Sequence, residues 1–181
     1  PKSAPAAPAS SPKRELEHEG PMIGGDESGK GDYFGPLVVA CVRIGLGDAE
    51  RLRKGGVGDS KALTDERVRQ LAPAIESAFP VAVEVLEPPA YNAEHARVGN
   101  VNLILASVYR RAVERIAEPG ITVLIDQFSK NKGRLDDAFS GLEIELHQAH
   151  RAERNMAVAA ASIVARLRFL DGLASLSEEF G

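Results

Sequence analysis

The sequence predicts a mixed α/β domain, a sheet flanked by helices. Three observations carry that expectation. β-branched apolar runs of strand length alternate with longer stretches of helical period. The runs are punctuated by glycine, proline or charge. A length of 181 residues, 44% hydrophobic and 27% charged, suits one core of ordinary soluble composition.

Residues 1–20, PKSAPAAPASSPKRELEHEG, have almost no bulky apolar side chain, so little burial is available to offset the entropy of ordering. They read as a flexible Pro/Ala/Ser-rich linker, and residues 21–181 as the folded domain. PMIGGDESG opens that domain with a short strand over 22–25 entering a glycine-rich turn. GPLVVACVRI (35–44) is apolar and β-branched, a buried strand. GDSKALTDERVRQLAPAIESAF (58–79) starts at Ser60 or Thr64 as cap and repeats Leu63, Val68, Leu71 and Ile75 at helical spacing. VAVEVLEP (81–88) is a strand stopped by Pro88 and Pro89. Residues 100–117 form an amphipathic helix with Leu105, Val108, Ala112 and Ile116 on one side. ITVLIDQF (121–128) is a buried strand ending in a charge, and LEIELHQAH (142–150) alternates as a half-exposed one. Residues 153–177 make a last helix whose alanine-dense start, MAVAAASIVA, permits close approach to a neighbour.

Bulk properties exclude little. No apolar run reaches the roughly 18 residues of a membrane span, and no signal-peptide pattern is present. Cys41, the single cysteine, lies within LVVACV and reads as a small buried residue. These features suit a cytoplasmic protein. The net charge of −4 does not advertise nucleic-acid binding, yet an acidic, cation-filled site contributes negative formal charge beside local basic patches. The first residue is Pro rather than Met, so a processed, trimmed or partial chain is expected.

The stretch GGDESGKGD (24–32) carries two incompatible suggestions. Gly24, Gly29 and Lys30 have the spacing of a phosphate-binding loop. Such a loop needs Ser or Thr after the lysine, where Gly31 stands, and bare amides where Asp26 and Glu27 stand, so that assignment fails. The carboxylates point elsewhere. Asp26 and Asp126 each follow an apolar strand, where a charge is costly unless paired. Adjacent parallel strands would bring them together at the strand ends where α/β sheets gather function. Glu153, between the last strand and the last helix, could join them. Converging carboxylates stay ionised around hard cations such as Mg²⁺ or Mn²⁺, and two ions would suit phosphodiester displacement. From spacing alone each acid serves equally as a helix cap or half of a surface ion pair. Asp136–Asp137 reads as a solvated pair. His147 and His150 lie on or past an exposed strand face, and Ser162 reads as a packing residue without a base partner.

Four blocks together resemble the type 2 ribonucleases H, most closely ribonuclease HIII: GGDESGKGDYFGPLVVA, GDSKALTDERV, LIDQF and AERNMAVAAASIVAR. They stand in family order across residues 23–168. DYFGP, IDQF in place of Asp-Gly, and Glu153 where ribonucleases HII usually have Asp favour the HIII type. The resemblance implies an RNase H-like fold with a five-stranded mixed sheet, three antiparallel strands continuing into parallel ones. It implies cleavage of the RNA strand of an RNA·DNA hybrid duplex, leaving 5′-phosphate and 3′-hydroxyl ends, by a monomer using Mg²⁺ or Mn²⁺ at a two-metal site. Asp26, Glu27, Asp126 and Glu153 are then the catalytic and metal-holding acids. Gly29, Lys30 and Gly31 would approach the RNA strand, with a 2′-hydroxyl contact separating RNA from DNA. Lys61 and Asn102, and further Asn100, Lys130, Lys132, Arg151 and Arg154, are candidates for phosphate contacts. Ribonucleases HIII also carry an N-terminal domain resembling the TATA-binding protein and continue past the Glu-Glu-Phe-Gly at which this chain stops. A fragment of a longer enzyme is therefore expected, with a non-catalytic hybrid-binding module as the alternative.

Overall fold

A computed structural model describes residues 18, 20–32, 34–128 and 133–180. Most of the linker, Lys130 and Lys132 lie outside the described residues. Five strands form one sheet: β1 (Met22–Ser28), β2 (Leu37–Ile44), β3 (Val81–Leu86), β4 (Ile121–Asp126) and β5 (Ile144–Ala149). Their spatial order is β3-β2-β1-β4-β5. β1 pairs antiparallel with β2, and β2 with β3. β4 joins β1, and β5 joins β4, in parallel. The mixed sheet expected from the sequence is therefore present.

Helices cover both faces. They are α1 (Asp48–Lys54), α2 (Asp65–Ala78), α3 (Pro88–Val98), α4 (Val101–Glu114), α5 (Gly133–Ala138) and α6 (Met156–Phe180). β2 shows why its run is continuously apolar. Val38, Ala40 and Val42 enter one core with α1, α2 and α6, while Val39 and Cys41 enter the other with α4. A strand buried on both faces loses the alternation of a half-exposed one. Cys41 is fully buried, and that burial pushes its thiol well above the ordinary range, as suits a packing residue. Among the described residues no helix is long and apolar enough to cross a membrane.

Several boundaries differ from expectation. β1 runs on to Ser28, so Asp26 and Glu27 are ladder residues opposite Ala40 and Val39 rather than turn residues. The 58–79 helix divides. Asp59 caps a 3₁₀ turn over Ser60–Ala62, and Thr64 caps α2 by accepting the Arg67 amide at 3.2 Å. The last helix starts at Met156, after a 3₁₀ turn over Ala152–Arg154. Three helices were not foreseen: α1, α3 and α5. α3 buries none of its residues, so it offers no apolar period, and its two prolines sit at the helix start, where a missing N–H costs nothing.

Candidate active site

The parallel register brings the two aspartates together. Gly25 of β1 pairs with Ile125 of β4, so Asp26 and Asp126 follow side by side where the ladder between these two strands ends. The Ala152–Arg154 turn after β5 brings Glu153 to the same place. All four predicted acids line one cleft of about 540 Å³, with Gly29, Lys30 and Lys61 at its walls. A larger groove of about 780 Å³ lies between Phe34, Pro88 and Leu173. Its lining is mostly apolar, and none of the predicted site residues reaches it.

Each of three carboxylates has one oxygen held by a protein donor. The Glu27 amide donates to Asp26 Oδ1 at 2.8 Å, and the Ala152 amide to Asp126 Oδ1 at 2.8 Å. The Tyr109 hydroxyl donates to Glu27 Oε2. Burial first, then the charge of Glu27, pushes the Asp26 carboxyl up to about 7, against hydrogen bonds from Ser162 and the Glu27 amide. Burial also raises Glu27, opposed by the Tyr109 hydrogen bond and by Lys30. Carboxylates gathered in a partly buried cleft are hard oxygen donors of the kind a divalent cation takes. As they stand, no three acidic, histidine or cysteine side chains among the described residues are gathered tightly enough to hold an ion. The donor chemistry nevertheless fits Mg²⁺ or Mn²⁺, since every acidic group lining the cleft offers oxygen.

The remaining predicted residues divide. Gly29 has φ +83°, and a Cβ there would stand 2.1 Å from the Pro36 carbonyl oxygen and 2.9 Å from the Phe169 ring. Only glycine fits that turn. Gly31 faces open space. Lys30 Nζ donates to the Phe128 carbonyl at 2.6 Å and lies 5.4 Å from the centre of the Phe128 ring. An ammonium carries three donors, so further contacts remain open to it. Asn102 does not line the cleft. Asn100 caps α4 by accepting the Asn102 amide at 3.0 Å, and Asn102 is a first-turn residue of that helix. His147 faces Glu145 at 3.3 Å on β5, and neither it nor His150 lines the cleft.

Residues that sequence reasoning missed complete the walls. Ser162 is more than a packing residue: its hydroxyl hydrogen-bonds Asp26 and lies 2.5 Å from the Ser60 hydroxyl. Arg166 donates to the Ser60 and Leu63 carbonyls and to Asp65, pinning the Lys61 turn against α6. Tyr109 is fully buried and stacks on Phe128 with ring centres 5.4 Å apart. A signal for it was present. Helical spacing sets Tyr109 among Leu105 and Ala112, and a phenol on a buried stripe needs a partner for its hydroxyl. Tyr109→Phe is expected to lower turnover by roughly 10–100-fold, the worth of a hydrogen bond to a charged group. It should also move the acid limb of the pH–rate profile upward, because the lost donor favoured ionised Glu27. An unmoved limb and full turnover would assign the tyrosine to packing alone.

The fold is RNase H-like. It superposes on Bst-RNase HIII in complex with Mn²⁺ with a TM-score of 0.81 and 33% identity, over 98% of this chain and 61% of that one. It superposes on Aquifex aeolicus RNase H3 with a TM-score of 0.76 and 32% identity, over 90% and 62%. In sequence it is 43% identical to the ribonuclease HIII of Protochlamydia amoebophila over 162 residues, 88% of this chain and 54% of that protein. The family model described as Ribonuclease HII matches residues 23–181, and the chain belongs to that family. The ribonuclease HIII of Chlamydia muridarum is 37% identical over 166 residues, 88% of this chain and 55% of that protein, and both relatives are of the type that the motif blocks resembled. The chain spans about half the length of these relatives.

Proposed function

We propose that the chain is the catalytic part of a metal-dependent endoribonuclease of the HIII type, which cuts the RNA strand of RNA·DNA hybrids. The observation that carries this reading is the single cleft shared by Asp26, Glu27, Asp126, Glu153 and the Gly29–Lys30 turn. Similarity to Bst-RNase HIII, solved with Mn²⁺, supports divalent metal as the cofactor. Asp26 and Asp126 would hold the metal, with Glu27 and Glu153 completing the ligand set. Bound there, one or two Mg²⁺ or Mn²⁺ ions would supply an activated water and stabilise the leaving 3′-oxygen, giving 5′-phosphate and 3′-hydroxyl ends.

The chain's own residues set what the metal meets. Tyr109 and the Glu27 and Ala152 amides each fix one carboxylate oxygen. Ser162 hydrogen-bonds Asp26 from α6 and is itself met by the Ser60 hydroxyl at 2.5 Å. Lys61 and Lys30 bring positive charge to the walls, where a phosphate backbone would lie. The Gly29 turn, clamped against Phe169, would present backbone to a ribose 2′-hydroxyl.

The test is cleavage of RNA·DNA hybrid, RNA duplex and DNA duplex in Mg²⁺ or Mn²⁺, with Asp126→Asn alongside. Hybrid alone should be cut, and Asp126→Asn should be inactive. Cleavage of DNA duplex, or activity surviving in Asp126→Asn, would sink the reading. Hybrid binding with a steep salt dependence but no turnover would favour the binding-module alternative.

A further inference from the structure

We infer that a second groove, opening from the carboxylate cleft, is a seat for nucleic-acid backbone phosphate, with Arg151 and Arg154 as its donors. This rests on the hybrid-nuclease reading and extends the substrate's path beyond the scissile bond.

The groove measures about 530 Å³. It shares Asp59 and Glu153 with the main cleft, so the two adjoin along that edge. The charged residues that line only the groove are Arg151 and Arg154. Charge therefore changes sign along the path, acidic at the shared edge and basic beyond it. A metal-holding acidic centre flanked by guanidinium groups is a pattern suited to a polyanion that must reach carboxylates.

What sets these arginines apart is that they are unspent. Every other arginine whose side chain is described bonds within the protein. Arg43, Arg51, Arg69, Arg97, Arg166 and Arg168 pair with carboxylates. So do Arg53, Arg110, Arg111 and Arg115, while Arg67 holds the Gly55 carbonyl. Among the described residues Arg151 and Arg154 have no such partner, and both are exposed. A guanidinium has five donors in a fixed fork that matches phosphate oxygens.

The backbone adds an independent sign. Arg151 is the one described non-glycine residue with positive φ, at +58°. An arginine held in that region is unusual and persists where its surroundings fix it. Here they do: the next amide, that of Ala152, is bound by Asp126 itself, and the Arg151 carbonyl caps the following 3₁₀ turn by accepting the Arg154 amide at 3.4 Å. The carboxylate that would hold metal thus also sets the turn bearing both arginines.

The experiment is fluorescence anisotropy with a short RNA·DNA hybrid and a DNA duplex, Ca²⁺ replacing the catalytic metal, across a salt series. Arg154→Gln and Arg151→Gln/Arg154→Gln are compared with the parent, and melting temperatures check folding. The double variant should bind both duplexes about tenfold more weakly, by the same factor for each, because phosphate contacts ignore the sugar. Its log–log salt slope should fall in magnitude by about one to two, and that of Arg154→Gln, which leaves the left-handed residue untouched, by about one. Unchanged affinity and slope in both variants, with the parent binding hybrid, would overturn the phosphate seat and leave the nuclease reading standing. A parent that binds no hybrid would remove both.

Discussion

Asp26→Asn is expected to abolish hydrolysis and, in the absence of divalent metal, to stabilise the fold. The first effect follows from losing a carboxylate at the centre of the proposed ligand set, and a rate below about a thousandth of the parent's is expected. The second follows from proton linkage. The Asp26 carboxyl titrates near 3.8 in an unfolded chain and is pushed up to about 7 in the fold, by burial and then by Glu27. Between those values the folded protein keeps a proton that the unfolded chain has lost. Stability therefore falls as pH rises from about 4 to about 7, and stays reduced above that. Asparagine has no charge to desolvate and carries no such cost. The variant's advantage should be absent in acid and full above neutrality, of order a few kcal/mol at most, with each kcal/mol worth about 2–4 °C in Tm. Divalent metal should reverse the order. An ion at a hundredfold its Kd stabilises the parent by about 2.7 kcal/mol and has little to hold in the variant. Thermal melts at about pH 3.5 and pH 8, with and without Mg²⁺, check all three steps. A variant melting below the parent at the higher pH without metal would mean that the carboxylate is well solvated or paired as the protein folds.

The same carboxylate shows how far the sequence could be read. A charge at the end of the apolar run Ile121–Ile125, and another after Met22–Gly25, are visible without coordinates because burial of an unpaired charge is costly. That β1 and β4 are parallel neighbours is not visible in either run. It depends on β1 serving both as the edge of an antiparallel meander and as the partner of β4, which only the assembled sheet decides. The β1 boundary was misjudged for a related reason. Asp26 and Glu27 have turn-like composition, yet they are held in the ladder by Ala40 and Val39 of a strand much stronger than they are.

Side chains reaching the cleft from helices were harder still to anticipate. Ser162 and Arg166 sit on α6 four residues apart, hence on one face, and both meet the 3₁₀ turn carrying Lys61. Nothing in an alanine-rich run says which neighbour its two polar residues will touch. Tyr109 was the legible exception, since helical period alone set its hydroxyl on a buried stripe. Asn100 and Asn102 show a different limit: a polar residue near a helix start has capping open to it as well as ligand contact, and Asn100 is the cap.

The alanines of α6 do carry a message about distance, and Gly24→Ala is the variant that reads it. A Cβ at Gly24 would stand 2.2 Å from the Ala157 carbonyl carbon, 2.3 Å from the Val158 nitrogen and 2.7 Å from the Ala157 Cβ. Two of these three atoms are backbone, and none can rotate aside. Strand and helix meet here at a separation that a glycine facing alanine allows and that one added methyl forbids. The sheet or α6 must move, and α6 brings Ser162 and Arg166 to the cleft while β1, two residues on, brings Asp26. A loss of about 3 kcal/mol or more is expected, at the upper end for overpacking, with Tm falling by about 6–12 °C. Activity should fall beyond what the unfolded fraction explains, since the displaced elements carry the site. Ala157→Gly is expected not to rescue it, because the nearest clash is with backbone that glycine retains. Gly31→Ala supplies the contrast: it has the same φ of +83° as Gly29 but open space around its missing Cβ, so only backbone strain of roughly 1 kcal/mol is expected there. Should Gly24→Ala melt with the parent, or Ala157→Gly restore it, the close approach of β1 to α6 would not be what fixes the carboxylates against the helix.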